Sequence, residues 1–263
     1  MDIYDAIYYR KSSNKYLQKP LKVDLLEEIK KVCLEVNGYD DKISAHVIEK
    51  GHLVDLLVGK NIRVKAPHYI LISSKRDNSF MDVGFTSEEL VLKLTILGVS
   101  SCYLDINLKY EDVFDMVNTY EKQAIDDEII EENYIKPQIL IGIGYSDGED
   151  IFRDSYDQID RKKTKNICKN INSNYQDILE LVQLAPSYKN TQPWSIYNEL
   201  NRFDIYYDKK YLKDEKLMFI SMGCFMKHFD LAIKKKEKKV NYTKNIAKNK
   251  LGKRYLLTAL VNG

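Results

Sequence analysis

Two distant stretches of the sequence share one pattern, and this internal similarity constrains the fold more than any other feature. Residues 82–94, DVGFTSEELVLKL, align with residues 221–233, SMGCFMKHFDLAI, glycine on glycine. The runs LIGIGY at 140–145 and LLTALV at 256–261 align in the same way. The period is too long for a solenoid. It predicts two related halves, each with a helix-strand-helix-strand order, and chance similarity of two α/β segments is the alternative.

Hydrophobic periodicity predicts a mixture of helices and strands in both halves. Asp24, followed by Glu27, is expected to be the N-cap of the second helix. Polar residues 146–174 are expected to form a surface connection between a first half at 1–145 and a second half at 175–263. Helices are expected at 2–9, 23–36, 52–59, 85–98, 175–184 and 218–236, and strands at 43–50, 66–74, 136–145, 194–200, 203–208 and 254–261.

Composition and charge exclude several classes of protein. The chain of 263 residues is 44% hydrophobic and 30% charged, which is typical of a globular protein. Its formal charge of +2 gives no reason to expect nucleic-acid binding. The basic run KKKEKK at 234–239 is more typical of a solvated helix end than of a polyanion site.

The sequence carries features of a cytoplasmic protein. Its first residues, MDIYDAIYYRKSS, lack the basic-then-apolar order of a signal peptide. No run approaches the ~20 apolar residues of a membrane span, so no membrane partner is expected. The cysteines have no zinc-site spacing and are expected to be small buried hydrophobes in a reducing compartment: Cys33, Cys102, Cys168 and Cys224.

Two loops have residue types suited to binding a small molecule. Residues 10–15, RKSSNK, combine cationic side chains with hydroxyls, which together match a phosphate monoester. A solvated basic loop is the alternative. Residues 185–194, APSYKNTQPW, hold two of the five prolines and the only tryptophan. The prolines restrict the backbone, Asn190 can present a donor and an acceptor to a heterocycle, and Trp194 is expected to enter the core. A common helix-to-strand loop is the alternative here.

These two loops resemble signatures of the nitroreductase-like flavoproteins. RKSS is similar to the family's Arg-Arg-Ser phosphate signature, and APSYKNTQPW is similar to its Ala-Pro-Ser-x-x-Asn-x-Gln-Pro-Trp motif. APHYILI at 66–72, the helix from residue 82 and ILIGIGY at 139–145 resemble further family segments. The resemblance implies an α+β nitroreductase-like fold with mixed, antiparallel-containing sheets flanked by helices.

The order of the motifs departs from that of ordinary family members. In the family, one subunit of a homodimer supplies the phosphate signature and the other supplies the Ala-Pro-Ser loop. In this sequence Ser12 lies in the first half and Ser187 in the second, and each half lacks the other motif. The chain therefore looks like a family dimer fused into one polypeptide, an internal pseudo-dimer. This implies one FMN per chain and a monomer in solution.

The resemblance assigns cofactor-binding roles to particular residues. One set matches contacts to the FMN phosphate and ribityl chain: Arg10, Lys11, Ser12 and Lys15. A second set matches the segment near the flavin N5: Tyr103, Leu104 and Asp105. A third set matches ring contacts: Pro186, Ser187 and Asn190. Arg161 and Lys163 resemble a second basic pair near the phosphate, although an exposed basic cluster is an equal alternative.

The resemblance also implies a reaction. Hydride transfer is the chemistry of the cofactor, so no catalytic acid, base or metal site is expected from the chain. NAD(P)H would reduce FMN, and a small acceptor such as a nitroaromatic or a quinone would then take the electrons. A non-catalytic FMN-binding or redox-sensing protein remains open. So does another flavin reaction of the same fold, such as dehalogenation or flavin breakdown, for which residues 107–135 could form a substrate lid.

Overall fold

The computed structural model describes residues 1–36, 43–58, 63–105, 136–148, 150–154, 159–244 and 247–262. The chain divides into two compact units, Met1–Asp154 and Ser155–Gly263. The expected halves 1–145 and 175–263 lie within these units. Residues 146–154 belong to the first unit, and the rest of the expected connection belongs to the second.

The first unit is built on a four-stranded antiparallel sheet with the strand order β1-β2-β4-β3. Its helix α4 packs against β1, β2 and β3. The elements are α1 (Ile3–Tyr9), α2 (Val23–Glu35), β1 (Ile43–Ile48), α3 (Gly51–Val58), β2 (His68–Ser74), α4 (Phe80–Ile96), β3 (Ser100–Leu104) and β4 (Lys136–Gly144).

The second unit repeats this sheet, because its four antiparallel strands have the order β5-β6-β8-β7. Both sheets also carry one register shift at the same junction, between β2 and β4 and between β6 and β8. The elements are α5 (Thr164–Ile167), α6 (Gln176–Val182), β5 (Trp194–Glu199), β6 (Arg202–Asp208), α7 (Glu215–Lys235), β7 (Lys239–Thr243) and β8 (Lys253–Asn262). The predicted α+β class and the internal repeat are therefore visible in the strand order of each unit.

Aromatic side chains form much of the core between α7 and its sheet. Trp194 stacks on Phe225 with ring centroids 5.0 Å apart. Phe203 meets Phe229 edge to face at 5.3 Å. Because edge-to-face and offset-stacked pairs add to the free energy of simple burial, these contacts fix how the helix lies on β5 and β6. The expected entry of Trp194 into the core is confirmed, since this side chain is buried.

Two glycines of β4 contact the segment that follows α1, and one of them, Gly144, makes room for it. Tyr16 is buried, and its hydroxyl donates to the Gly142 carbonyl at 3.0 Å. A Cβ on Gly144 would lie 2.7 Å from Pro67 Cγ and 3.1 Å from Tyr16 Cδ1. These distances are shorter than van der Waals contact, so a larger residue at this position would displace Tyr16 or Pro67.

Some local expectations were wrong or incomplete. The N-cap of α2 is Lys22 rather than Asp24, which lies in the first turn. An acidic residue there still interacts favourably with the helix dipole, which explains its position without a capping bond. Strands β3 and β7 were not predicted. Cys33, Cys168 and Cys224 are buried as expected, whereas Cys102 is half-buried, and all four are free thiols. Within the described ranges, no helix has the length and hydropathy to cross a membrane.

His68 makes the stability of the first unit depend on pH. Its Nε2 accepts a hydrogen bond from the Leu21 N–H at 2.9 Å, and Nδ1 lies 2.5 Å from the Glu49 carbonyl oxygen, so the neutral ring fits both partners. Burial lowers the pKa of His68 below its usual value of 6.5. A lowered pKa contributes stability above pH 6.5 that is lost as the pH falls through the folded-state value.

We therefore expect the free energy of unfolding to decrease between pH 7.5 and pH 5. His68→Gln should be less stable at pH 7.5 but should show a shallower pH dependence, measured by thermal or urea unfolding. His52→Gln, which changes an exposed histidine, is the matched control. An unchanged slope in His68→Gln would contradict the assignment to this ring.

Candidate functional site

The loop at residues 10–15, which we call the phosphate loop, is fixed by main-chain hydrogen bonds within the first unit. The Ser13 N–H donates to the Ser101 carbonyl in β3 at 3.1 Å. The Asp147 N–H, just beyond β4, donates to the Lys15 carbonyl at 3.1 Å. The loop therefore follows the ends of two neighbouring strands, and its shape does not depend on its own side chains alone.

The side chains of the phosphate loop divide into buried and accessible groups. Ser13 is buried, and its hydroxyl contacts the Lys15 carbonyl and the Ser146 hydroxyl. Lys11 is half-buried, while Ser12 and Lys15 are exposed. A hydroxyl and two ammonium groups at an ordered loop are the donor set that a phosphate dianion requires. Three of the four residues predicted to contact a phosphate, Lys11, Ser12 and Lys15, therefore have suitable donor groups that a ligand could reach.

Arg10, the fourth of these residues, is buried and faces a buried carboxylate. Its Nε lies 3.8 Å from Glu88 Oε1 in α4. The Tyr103 hydroxyl donates to Glu88 Oε2 at 3.1 Å. Glu88 therefore orients Arg10 and connects it to β3. The sequence pattern did not reveal Glu88, because an acidic residue in a long helix is usually exposed, whereas this one is completely buried.

Arg153 is a further cation beside the phosphate loop, and the sequence analysis missed it. Phe152 forms a β-bridge with Arg10, and the Arg153 N–H donates to the Tyr9 carbonyl at 3.1 Å. Its guanidinium donates to the Tyr8 carbonyl at 3.4 Å. Arg153 therefore lies next to the end of α1, where the phosphate loop begins. A basic residue after the late strand β4 was the signal that could have found it.

The predicted N5 segment forms the end of β3 and the residue after it. Tyr103 is half-buried, Leu104 is buried and Asp105 is exposed. Cys102 precedes them, and burial raises the pKa of its thiol, with the Ser12 hydroxyl and the Arg10 charge acting in the opposite direction. Strand β3 therefore brings this segment close to the phosphate loop. The candidate lid at 107–135 lies outside the described residues.

The second unit holds residues 185–194, which we call the ring loop, in an unusual backbone shape. Three of its non-glycine residues have positive φ: Lys189 at 48°, Asn190 at 55° and Gln192 at 46°. Such conformations cost energy in residues with a Cβ, and they persist only where the surroundings enforce them. The Ser187 hydroxyl accepts from the Gln192 N–H at 2.9 Å and closes the turn. Its own hydrogen is still available for donation to a ligand.

Residues 160–162 stabilise the ring loop from the side. Arg161 Nη1 donates to Asn190 Oδ1 at 2.8 Å, and the Lys162 N–H donates to Gln192 Oε1 at 2.7 Å. Asn190 Nδ2 donates to the Asp160 carbonyl at 3.0 Å. Both polar atoms of the Asn190 amide are therefore engaged within the unit. Gln192 also stabilises the loop, because its side chain accepts from Lys162 and its N–H donates to Ser187.

The structure separates the predicted site residues into two groups, one in each unit. Arg161, predicted near a phosphate, contacts the ring loop of its own unit, and Lys163 is exposed at the start of α5. Pro186 and Ser187 are half-buried at the start of the ring loop. His228 packs in the core of the second unit, where Nδ1 lies 3.0 Å from the Leu181 carbonyl oxygen.

The comparison with family models decides the identity. The family described as "Putative TM nitroreductase" matches residues 2–235. The chain belongs to this nitroreductase family. The match includes both the phosphate loop and the ring loop, so the resemblance that these motifs indicated is confirmed. No curated protein matches the chain.

Of the solved structures similar to this nitroreductase-family protein, one with a TM-score above 0.5 shows its fold. A protein from Thermotoga maritima MSB8, described as a putative nitroreductase, is 18% identical with a TM-score of 0.62 and covers 100% of this chain and 95% of its own. An FMN-dependent nitroreductase from Clostridium difficile R20291 is 20% identical, with a TM-score of 0.41, over 59% of this chain and 96% of its own. A nitroreductase with bound FMN from Desulfitobacterium hafniense DCB-2 is 12% identical, with a TM-score of 0.39. The match covers 62% of this chain and 100% of that protein.

Removing the Gln192 side chain should loosen the ring loop. Gln192→Ala deletes the acceptor of the Lys162 N–H and the donor to Asn190, which at about 1 kcal/mol each predicts a loss of about 2 kcal/mol. We also expect faster amide hydrogen exchange at residues 188–192. Gln176→Ala, at an exposed position of the same unit, is the control. Equal exchange in the two variants would contradict a stabilising role for Gln192.

Proposed function

We propose that this nitroreductase-family protein is an FMN-dependent oxidoreductase that accepts hydride from NAD(P)H and reduces a small acceptor such as a nitroaromatic or a quinone. The observation that carries the proposal is the presence of two complementary, ordered loops in one chain. The phosphate loop offers accessible hydroxyl and ammonium donors, and the ring loop offers Pro186 and the Ser187 hydroxyl. Each unit supplies one of the two motifs.

The residues of the phosphate loop would hold the phosphate and ribityl end of FMN. Lys11 and Lys15 supply charge, Ser12 supplies a hydroxyl, and Arg10 and Arg153 add two guanidinium groups nearby. The buried Glu88 carboxylate offsets part of this positive charge and orients Arg10. An anion bound by preorganised cations and hydroxyls loses little entropy on binding, which favours a resident cofactor over a passing ligand.

The ring loop would orient the flavin ring. FMN supplies the hydride-transfer chemistry when it is bound. In this chain, Pro186 provides an apolar surface, and Ser187 keeps a donor for a ring carbonyl while its oxygen accepts from Gln192. Asn190 keeps the loop in its strained shape through Asp160, Arg161 and Gln192, so we assign it a positioning role instead of the predicted polar contact to the ring.

Anaerobic mixing tests the function directly. Purified protein reconstituted with FMN should lose its flavin absorbance near 450 nm when NADH or NADPH is added, and should recover it when a quinone or nitroaromatic is supplied. We also expect one FMN per chain and a monomer by light scattering. FMN binding without reduction by either nucleotide would instead support a binding or sensing protein. Failure to bind FMN would refute the proposal.

A further inference from the structure

The two units differ strongly in net charge, although the chain as a whole is nearly neutral. Residues 1–154 contain 19 lysines and arginines against 28 aspartates and glutamates. Residues 155–263 contain 22 lysines and arginines against 11 aspartates and glutamates. The second unit therefore has a large positive excess, whereas the formal charge of the whole chain is only +2. A concentrated excess of one sign attracts ligands of the opposite sign.

Part of this excess converges next to the ring loop. The Lys162 ammonium donates to the Gln192 carbonyl at 2.5 Å. The charged groups acting on Lys162 are Asp208, Lys210 and Lys253. Asp208 is opposite Lys253 in the β6–β8 register, and its N–H donates to the Pro193 carbonyl at 2.9 Å. We call these three lysines the lysine cluster.

The lysine cluster has more positive charge than its described acidic neighbour can offset. Among the charged groups that act on one another here, three ammonium groups face the Asp208 carboxylate, an excess of two positive charges within this set. Burial lowers the pKa of Lys162, Lys210 and Lys253 act in the same direction, and Asp208 opposes them. Lys162 uses one of its three N–H donors on Gln192, so two remain for a ligand. A phosphate monoester, with nearly two negative charges, would balance the excess.

The position of the lysine cluster indicates which phosphate compound would bind to it. The lysine cluster is connected to the ring loop through Gln192 and Pro193, so a bound phosphate would lie beside the loop assigned to the flavin ring. A nicotinamide dinucleotide that reaches this ring extends beyond it with its adenosine end. NADPH carries a phosphate monoester on that end and NADH does not.

We propose that Lys162, Lys210 and Lys253 bind the 2′-phosphate of NADPH and make the protein select NADPH over NADH. This inference rests on the proposed function, because it concerns the electron donor of the same site. The shared chemistry is a phosphate dianion, which inorganic phosphate could also supply. The preference for NADPH would depend on the positive charge and the number of N–H donors of the three lysines. It should therefore weaken each time one of them is removed.

Calorimetric titration of the full chain with 2′,5′-ADP and with 5′-AMP provides the test, because the two ligands differ only by the 2′-phosphate. We expect 2′,5′-ADP to bind at least about tenfold more tightly, as expected for charge-assisted contacts. Lys210→Gln and Lys253→Gln should each lose most of this preference. Lys239→Gln removes the same charge from an exposed position on β7 and should keep it. Inorganic phosphate should compete only weakly with 2′,5′-ADP.

Each outcome has a distinct meaning. Equal affinities for the two ligands, or an unchanged preference in both cluster variants, would overturn the inference. Full competition by inorganic phosphate would show a general anion site and would also overturn it. Loss of FMN from Lys210→Gln, with unchanged 2′,5′-ADP binding, would assign the cluster to the cofactor instead. If the protein binds no FMN but keeps the preference for 2′,5′-ADP, the proposed function fails, and the lysine cluster is a 2′-phosphate site without a role in electron donation. Thermal unfolding of each variant verifies that it is folded.

Discussion

Protein carrying both Lys11→Gln and Ser12→Ala is expected to bind FMN on the order of 100-fold more weakly than the unmodified chain. The two changes remove one charge-assisted and one hydroxyl contact to the proposed phosphate position, together worth about 3 kcal/mol. The phosphate loop itself should keep its shape, because its main-chain hydrogen bonds to Ser101 and from Asp147 are untouched. Fluorescence titration with FMN measures the effect.

The control for this double variant must change a cation without approaching the loop. Lys31→Gln alters an exposed side chain on α2. Lys22 is less suitable, because it lines an open cavity of about 750 Å³ that also includes Ser146, the partner of Ser13. Arg10→Ala should weaken FMN binding too, but it also removes the ionic neighbour of buried Glu88 and should lower stability. Equal FMN affinity in the double variant and in Lys31→Gln would reject the phosphate assignment.

Trp194→Ala should destabilise the second unit by about 3–5 kcal/mol, the usual cost of truncating a large buried aromatic residue. Trp194 is the first residue of β5, is 1% exposed, and stacks on Phe225 of α7. Its removal should also loosen the ring loop, whose last residue it is. Thermal unfolding would measure the loss, and amide exchange at residues 188–192 would report the loop.

Two further variants distinguish the loss of aromatic packing at Trp194 from the effect of any substitution in β5. Trp194→Phe keeps an aromatic ring and should recover a large part of the stability. Glu199→Ala changes an exposed residue on the same strand and should cost less than about 1 kcal/mol. If Trp194→Ala and Glu199→Ala have the same effect, the stacked pair does not stabilise the core as we infer.

The sequence predicted elements where periodicity and burial agree. Helix α7 has apolar residues throughout and is buried along most of its length, and β2 is buried at every residue. Strand β7 was missed because it follows directly on a lysine run and is short, so its polar–apolar alternation extends over only Val240 and Tyr242. The capping pattern at Asp24 was misleading because acidic residues are favoured both at the N-cap and in the first turn.

The motifs of the site were readable from the sequence, but their supporting contacts were not. Glu88 orients Arg10 across 78 positions of the chain, and Arg161 reaches Asn190 across 29. Such pairs depend on how helices and strands pack, which local patterns do not encode. The positive φ of Lys189 and Gln192 was equally hidden, because neither residue type favours that conformation. Asn190 alone carried such a signal.

The glycines of β4 show a steric difference between the two sheets. In the alignment of LIGIGY with LLTALV, Gly142 and Gly144 correspond to Thr258 and Leu260 of β8. A side chain at Gly144 would collide with Pro67, which directly precedes β2, and with Tyr16, which directly follows the phosphate loop. A second phosphate loop could not follow β8 in the same way. Placing the motif residues in the second unit would therefore not be enough to build a phosphate loop there, because β8 would also have to make room for it.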